Sequence, residues 1–359
     1  MLCWCATAAF GLEVSGSEGA WSIGQAERLQ DAKVAPYLGR DALWLKNNTH
    51  VLATGPEFAD GTIEFDLAPM ERGRFVAVDF RYQSFTAHEN VYIRPKKSGE
   101  FDALQYTPRL GGSTWQLYPE FNAPAEYPLG QWTPIRMEIR GSSLEIFVGE
   151  GKEPNLQIGR MRGEVTSGGV VFWARVNDSP KEWAAAISNV RITPIEGPPA
   201  ALKVAASPPA DALSDWQIAS EVHEASGPVF DLPSLSGWRS VGAEESGLVN
   251  VTRHIDRTRG RRTAYLRTTL RAAGAETRLL HLGYSDDVTI FLNGEPIFAG
   301  SNGWESRYPG YLGYARPGND TVVLRLKPGD NELVAALSDD QRFGWGLSAR
   351  TSAIPDQAE

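Results

Sequence analysis

Cysteine is nearly absent: the 359-residue chain has two, Cys3 and Cys5, both within its first five positions. That excludes a disulfide framework. A thiolate metal site would have only Cys-x-Cys, with no histidine or third cysteine nearby. Apolar runs long enough for a bilayer are missing too, so no segment reads as a transmembrane helix. Cations are not in excess: 35 Lys and Arg stand against 44 Asp and Glu, a net charge of −9. A nucleic-acid backbone requires a concentrated basic surface, and nucleic acid is not an expected partner. The five histidines show neither H-x-H nor H-E-x-x-H spacing. No glycine-rich loop leaves a strand to open a helix, which removes the usual nucleotide cradle.

What is present is aromatic and β-forming. Eleven tryptophans and 42% hydrophobic residues describe a folded chain, long enough for two domains with their own cores. The opening "MLCWCATAAFGLEV" is apolar and then small, with Ala6-Thr7-Ala8 like a signal-peptidase site. Residues 1–9 therefore read as the tail of a secretory signal, and the expected location is extracellular or periplasmic.

Strand alternation dominates the rest. In "GTIEFDL" (61–67) Ile63, Phe65 and Leu67 alternate with Glu64 and Asp66. "WTPIRMEIRG" (132–141) alternates likewise, and "GSS" leads from it into "LEIFVG" as a hairpin. Residues 10–197 are expected to form one antiparallel sandwich. The Pro- and Ala-rich 198–213 reads as a linker. A second antiparallel sandwich is expected over 214–352, with 353–359 as a tail. Asn293-Gly294, between "TIFL" and "EPIF", marks a type I′ hairpin. The predicted class is all-β, two antiparallel domains in series.

Particular motifs carry a resemblance. "FADGTIEFDL", "YIRPKKSGEFDALQYTP", "TWQLY", "GQWTPIRMEI" and "ISNVRITP" make the first domain similar to the concanavalin A-like lectin/glucanase sandwich, in its LamG-like branch. "YSDDVTIFLNGEPIFAG", "LKPGDNELVAALSD" and "GWGLSAR" make the second resemble a galactose-binding-like jelly roll of the kind appended to glycosidases. The resemblance implies a concave sheet whose outward face holds a carbohydrate. It also leaves a structural calcium open, with Asp102, Asn177 and Asp178 as oxygen donors.

Alternation then selects residues. Asn90, Tyr92 and Arg94 share one face of "ENVYIRP", Thr114, Gln116 and Tyr118 one face of "TWQLY", and Trp173 and Arg175 one face of "VVFWARV". Tyr92, Arg94, Gln116, Tyr118 and Arg175 are the expected ligand-binding set, because aromatic faces, an amide and guanidinium donors suit a sugar. Acid/base candidates are Glu64 and Asp66, whose Cα atoms lie roughly 6.6 Å apart on one strand, and the adjacent His88 and Glu89. Glucanases of this fold carry a third carboxylate further along the strand, where this chain has Ala68 and Pro69. Asp79 reads as a structural partner of Arg81. In the second domain the loop 301–318, with Trp304, Arg307, Tyr308 and Tyr311, is either a ligand loop or an Ω-loop packed on its own aromatics.

Three functions remain open: glycan binding in the first sandwich, hydrolysis or lysis of a polysaccharide by these carboxylates, and a structural or adhesive role without a sugar site.

Overall fold

The computed structural model describes residues 12–14, 21–23, 32–55, 57–71, 73–176, 182–195, 207–223, 227–257 and 261–354. The expected signal tail (1–9), most of the expected linker, and Asn177 and Asp178 lie outside them. Among the described residues all regular structure is β apart from short 3-10 turns. The chain divides into two compact units, residues 1–109 with 120–203, and residues 110–119 with 204–359.

The first unit begins with β1 (Leu12–Val14), β2 (Trp21–Ile23), β3 (Ala32–Tyr37), β4 (Arg40–Lys46) and β5 (Thr49–Ala53). Then come β6 (Gly61–Pro69), β7 (Phe75–Ser84), β8 (Ala87–Ile93), β9 (Leu104–Leu110) and β10 (Asn122–Ala123). It closes with β11 (Thr133–Arg140), β12 (Ser143–Val148), β13 (Leu156–Ile158), β14 (Gly169–Arg175) and β15 (Trp183–Pro194). The first sheet runs β13-β12-β11-β6-β15-β4-β3, with β1 also on β15; the second runs β10-β9-β8-β7-β14-β5-β2.

The period-two pattern decides which faces meet. In the first sheet Ile63 and Phe65 pair with Met137 and Ile135, all at 2% exposure or less. In the second, Val76, Val78, Val91, Ile93 and Phe172 are fully buried. The Phe65 and Phe172 rings meet edge to face at 5.2 Å, so these two rows face one another. Burying each such ring contributes about 1.5–3 kcal/mol. Residues of opposite parity point away from the core, and two sheets packed face to face lie about 10 Å apart.

The second unit holds β16 (Asp215–His223), β17 (Arg239–Gly242), β18 (Leu248–Asn250), β19 (Arg262–Ala272) and β20 (Glu276–Ser285). It continues through β21 (Asp287–Leu292), β22 (Glu295–Ser301), β23 (Asp320–Leu326), β24 (Gly329–Asp339) and β25 (Gly346–Ala353). Its sheets, β17-β16-β19-β24-β21-β22 and β18-β25-β20-β23, share one core that includes Ile218, Leu266, Leu280, Leu324 and Trp345. Asn293 (φ 53°) and Gly294 (φ 88°) make the β21–β22 turn, as their tolerance of positive φ predicts.

One expectation fails here. "TWQLY" is not a strand: Trp115–Leu117 is a 3-10 turn, and residues 110–119 group with the second unit. Gly111, at φ 65°, turns the chain out of β9. The Gln116 amide donates to Leu312 O at 2.9 Å and accepts from Ser285 Oγ at 2.7 Å. The Tyr118 hydroxyl donates to Glu244 at 3.1 Å and accepts from Asn250 Nδ2 at 2.8 Å. Both residues are fully buried. Alternation misleads here because Gln116 and Tyr118 find their partners in side-chain and loop hydrogen bonds of their own unit, and the six residues between the glycine pair and Pro119 form a turn instead of joining a ladder.

Candidate functional site

The outward face of the second sheet gathers a polar and aromatic cluster. Strand β7 contributes Phe75, Ala77 and Asp79; register sets Ala77 opposite both Tyr92 and Trp173, and Asp79 opposite Asn90. Tyr92 and Trp173 meet edge to face at 5.6 Å, and Phe75 lies 5.9 Å from Tyr92. On β5, His50 pairs with Trp173 and stacks on it at 5.7 Å.

Asp79 organises the polar half. Its Oδ1 accepts from Trp173 Nε1 at 3.0 Å and from Asn90 Nδ2, and its Oδ2 lies 3.4 Å from His88 Nε2. Asn90 must turn its amide nitrogen to the carboxylate, leaving Oδ1 buried with no donor among the described residues. His88 Nδ1 meets Ser84 O at 2.8 Å, which fixes a proton on that nitrogen. Burial lowers the His88 pKa, against the opposing pull of the Asp79 carboxylate.

Guanidinium groups border the aromatics. Arg109 donates to the Tyr92 hydroxyl and lies over its ring. Arg94 lies 5.5 Å over Phe75 and pairs with Asp102, and Arg175 stands opposite Phe75 in register. Tyr92 and Trp173 are 9% and 8% exposed and form a floor; Phe85, 65% exposed beside His50, and the exposed Arg175 form the rim. Three of the five expected ligand residues, Tyr92, Arg94 and Arg175, therefore come together, and Gln116 and Tyr118 do not.

The acid/base candidates are dispersed. Glu64 and Asp66 lie on the outward face of the first sheet, with the sandwich between them and Tyr92. They line a hollow of about 590 Å³ with Pro134, Arg136, Asn189 and Arg191. Glu64 stands opposite Arg136 and Arg191 in register, and Asp66 accepts from Arg40 and from Asn189 at 2.7 Å. Adjacent strand residues face opposite ways, so His88 joins the outward cluster whereas Glu89 turns into the core and accepts from Tyr106 at 2.7 Å. His88-Glu89 is thus no acid/base pair. The carboxylate of Asp102, the described member of the calcium donors, is engaged by Arg94.

Sequence reasoning missed Asp79 and His50. Asp79 does not pair with Arg81, because a register shift follows Phe80 and Arg81 takes φ 51°. Arg81 donates instead to Asp60 at 2.7 Å. His50 becomes visible only once β5 is known to pair with β14. In the second unit, Arg307 pairs with Asp320, and the Tyr308 and Tyr311 rings lie 5.0 Å apart, so loop 301–318 packs on its own aromatics.

No family model matches the chain, and no curated protein does. Solved structures resemble it over about half its length. The carbohydrate binding module CBM66 from Bacillus subtilis is 12% identical with a TM-score of 0.31, over 48% of this chain and 93% of that one. The VIP36 exoplasmic/lumenal domain, in its Ca2+/Man3GlcNAc-bound form, is 9% identical with a TM-score of 0.38, over 53% and 90%. A Bacillus licheniformis beta-glucanase is 13% identical with a TM-score of 0.34, over 52% and 98%. Likenesses this distant carry no argument about ligand or reaction.

Proposed function

We propose that this is a carbohydrate-associated protein of the extracellular space or periplasm, whose first unit binds a glycan on the outward face of its second sheet. The supporting observation is the cluster of Phe75, Tyr92 and Trp173 bordered by Arg94, Arg109 and Arg175. Ring faces take the apolar face of a sugar, and guanidinium and amide groups bond its hydroxyls. Asp79 is a positioning residue in this reading, since it fixes the Trp173 indole. The second unit is an accessory sandwich of galactose-binding-like type.

Affinity electrophoresis through gels containing a panel of polysaccharides tests the reading. Phe85→Ala/Arg175→Gln alters only the rim and spares the core. At least one polysaccharide should retard the wild type, and the variant should bind it about tenfold more weakly. Equal retardation of both proteins would refute the site.

Hydrolysis is a second reading, favoured by the Glu64 and Asp66 carboxylates lining an open hollow. Paired-carboxylate hydrolysis requires one carboxyl held protonated by its surroundings. Here arginines face both. Reducing-sugar release that is lost on Glu64→Gln would establish hydrolysis; no release from any polysaccharide would eliminate it.

A further inference from the structure

A strand at the edge of a sheet leaves one row of backbone N–H and C=O groups unpaired. Natural sheets guard such edges by shortness, by proline, by bulges or by charge. Each of the four sheets described here ends on two strands. β2, β10, β13 and β18 are two or three residues long, and β17 is four. β3 contains Pro36, and β22 contains Pro296 together with a shift of register against β21. β23 is different: it is seven residues long, with neither proline nor bulge.

Alternation along β23 separates two rows. Val322, Leu324 and Leu326 are buried in the core of the second unit. Thr321, Val323 and Arg325 face outward, and Val323, at the centre of the strand, is 50% exposed. On one side β23 pairs with β20 along its whole length, with Val323 opposite Leu279. Thr321 bonds His281 of that same strand at 3.1 Å. On the other side, residues 321–326 have no backbone partner among the described residues. Arg307 closes only the start, donating to Asn319 O at 3.1 Å and to the Asp320 carboxylate.

Sheet geometry limits what can pair there. Opposed residues in an antiparallel ladder point to the same face, so an added strand must set apolar residues against Val322 and Leu324. A second copy of β23 meets this condition when the two-fold axis passes through a residue. A slip of one would set core residues against outward ones. An axis through Val323 pairs all seven residues. Val323 then faces Val323 of the second copy, Val322 faces Leu324, and Thr321 faces Arg325. No like charges are opposed, whereas an axis through Arg325 would set two guanidinium groups face to face. The row from Leu279 to Val323 continues into the same row of the second copy, and the exposed valine is covered by its own counterpart.

We infer that β23 is the contact of a two-fold dimer, in which two copies of this chain join their second-unit sheets edge to edge about Val323. Sedimentation velocity of the full chain over a dilution series tests the inference, with reductant present so that Cys3 and Cys5 form no cross-link. The wild type should pass from monomer to dimer as concentration rises. Val323→Lys and Val323→Glu alter an exposed position and should keep the circular dichroism of the wild type. Each sets like charges against one another at the axis and should weaken dimerisation at least about tenfold. An equimolar mixture of the two variants should regain the dimer, because an ammonium then faces a carboxylate. A wild type that stays monomeric, a dimer indifferent to both substitutions, or a mixture that stays monomeric would each overturn the inference. None of these outcomes depends on glycan binding at the Trp173 cluster.

Discussion

The chemistry of the first unit is concentrated in a few side chains, and Asp79 affects most of them. One carboxylate contacts Trp173, Asn90 and His88, which lie on two neighbouring strands. His88 gives a pH signature. Its pKa is lowered in the fold, so between that lowered value and the unfolded value of about 6.5 the unfolded chain binds more protons. Stability of the first unit should be complete above about pH 6.5 and fall as pH drops through the folded pKa. His88→Gln should remove this part of the slope in denaturant unfolding at a series of pH values. In Asp79→Asn the opposing anion is gone, and the His88 midpoint followed by NMR should move lower still. A rise would show that burial does not govern it.

At the scale of elements, the sequence displayed pattern better than partnership. Alternation in "GTIEFDL" and "WTPIRMEIRG" gave the correct inward rows, and Asn293-Gly294 the correct turn. Gly294 has open space where a Cβ would stand, so Gly294→Ala tests backbone conformation alone. At φ 88° the substitution should lower the unfolding free energy of the second unit by about 1–2 kcal/mol, read as a shifted denaturant midpoint. Phe65→Ala, at the contact between the sheets, should cost the first unit about 3–5 kcal/mol. The shared face of Tyr92, Arg94 and Arg175 was legible because Tyr92 and Arg175 sit on regular strands and Arg94 directly follows one. Gln116 and Tyr118 were misassigned because alternation over five residues was taken for a strand. Asp79 and His50 join the cluster, and Glu64 lies on the other sheet, because of which strands lie beside theirs, and a period of two carries no information about neighbours.

Across the whole molecule, the two units should respond oppositely to pH. In the second, Asp286 accepts from the Asp340 and Gln341 amides, and burial raises its pKa to about 7. A carboxyl whose folded pKa is raised contributes stability that is complete below its unfolded value and lost as pH rises through the folded one. The second unit should therefore weaken from about pH 4 to about pH 7, and Asp286→Asn should flatten that trend in the transition assigned to it. The first unit gains stability over the upper part of the same range.

Indole N–H resonances observe the cluster directly, since the Trp173 N–H donates to Asp79, and the Trp173 signal can be assigned from a Trp173→Phe variant. Titrating the labelled protein with the glycan that retards it in gels should move the Trp173 resonance saturably, with the same dissociation constant as calorimetry. Saturable binding that leaves the Trp173 resonance unmoved would contradict the account.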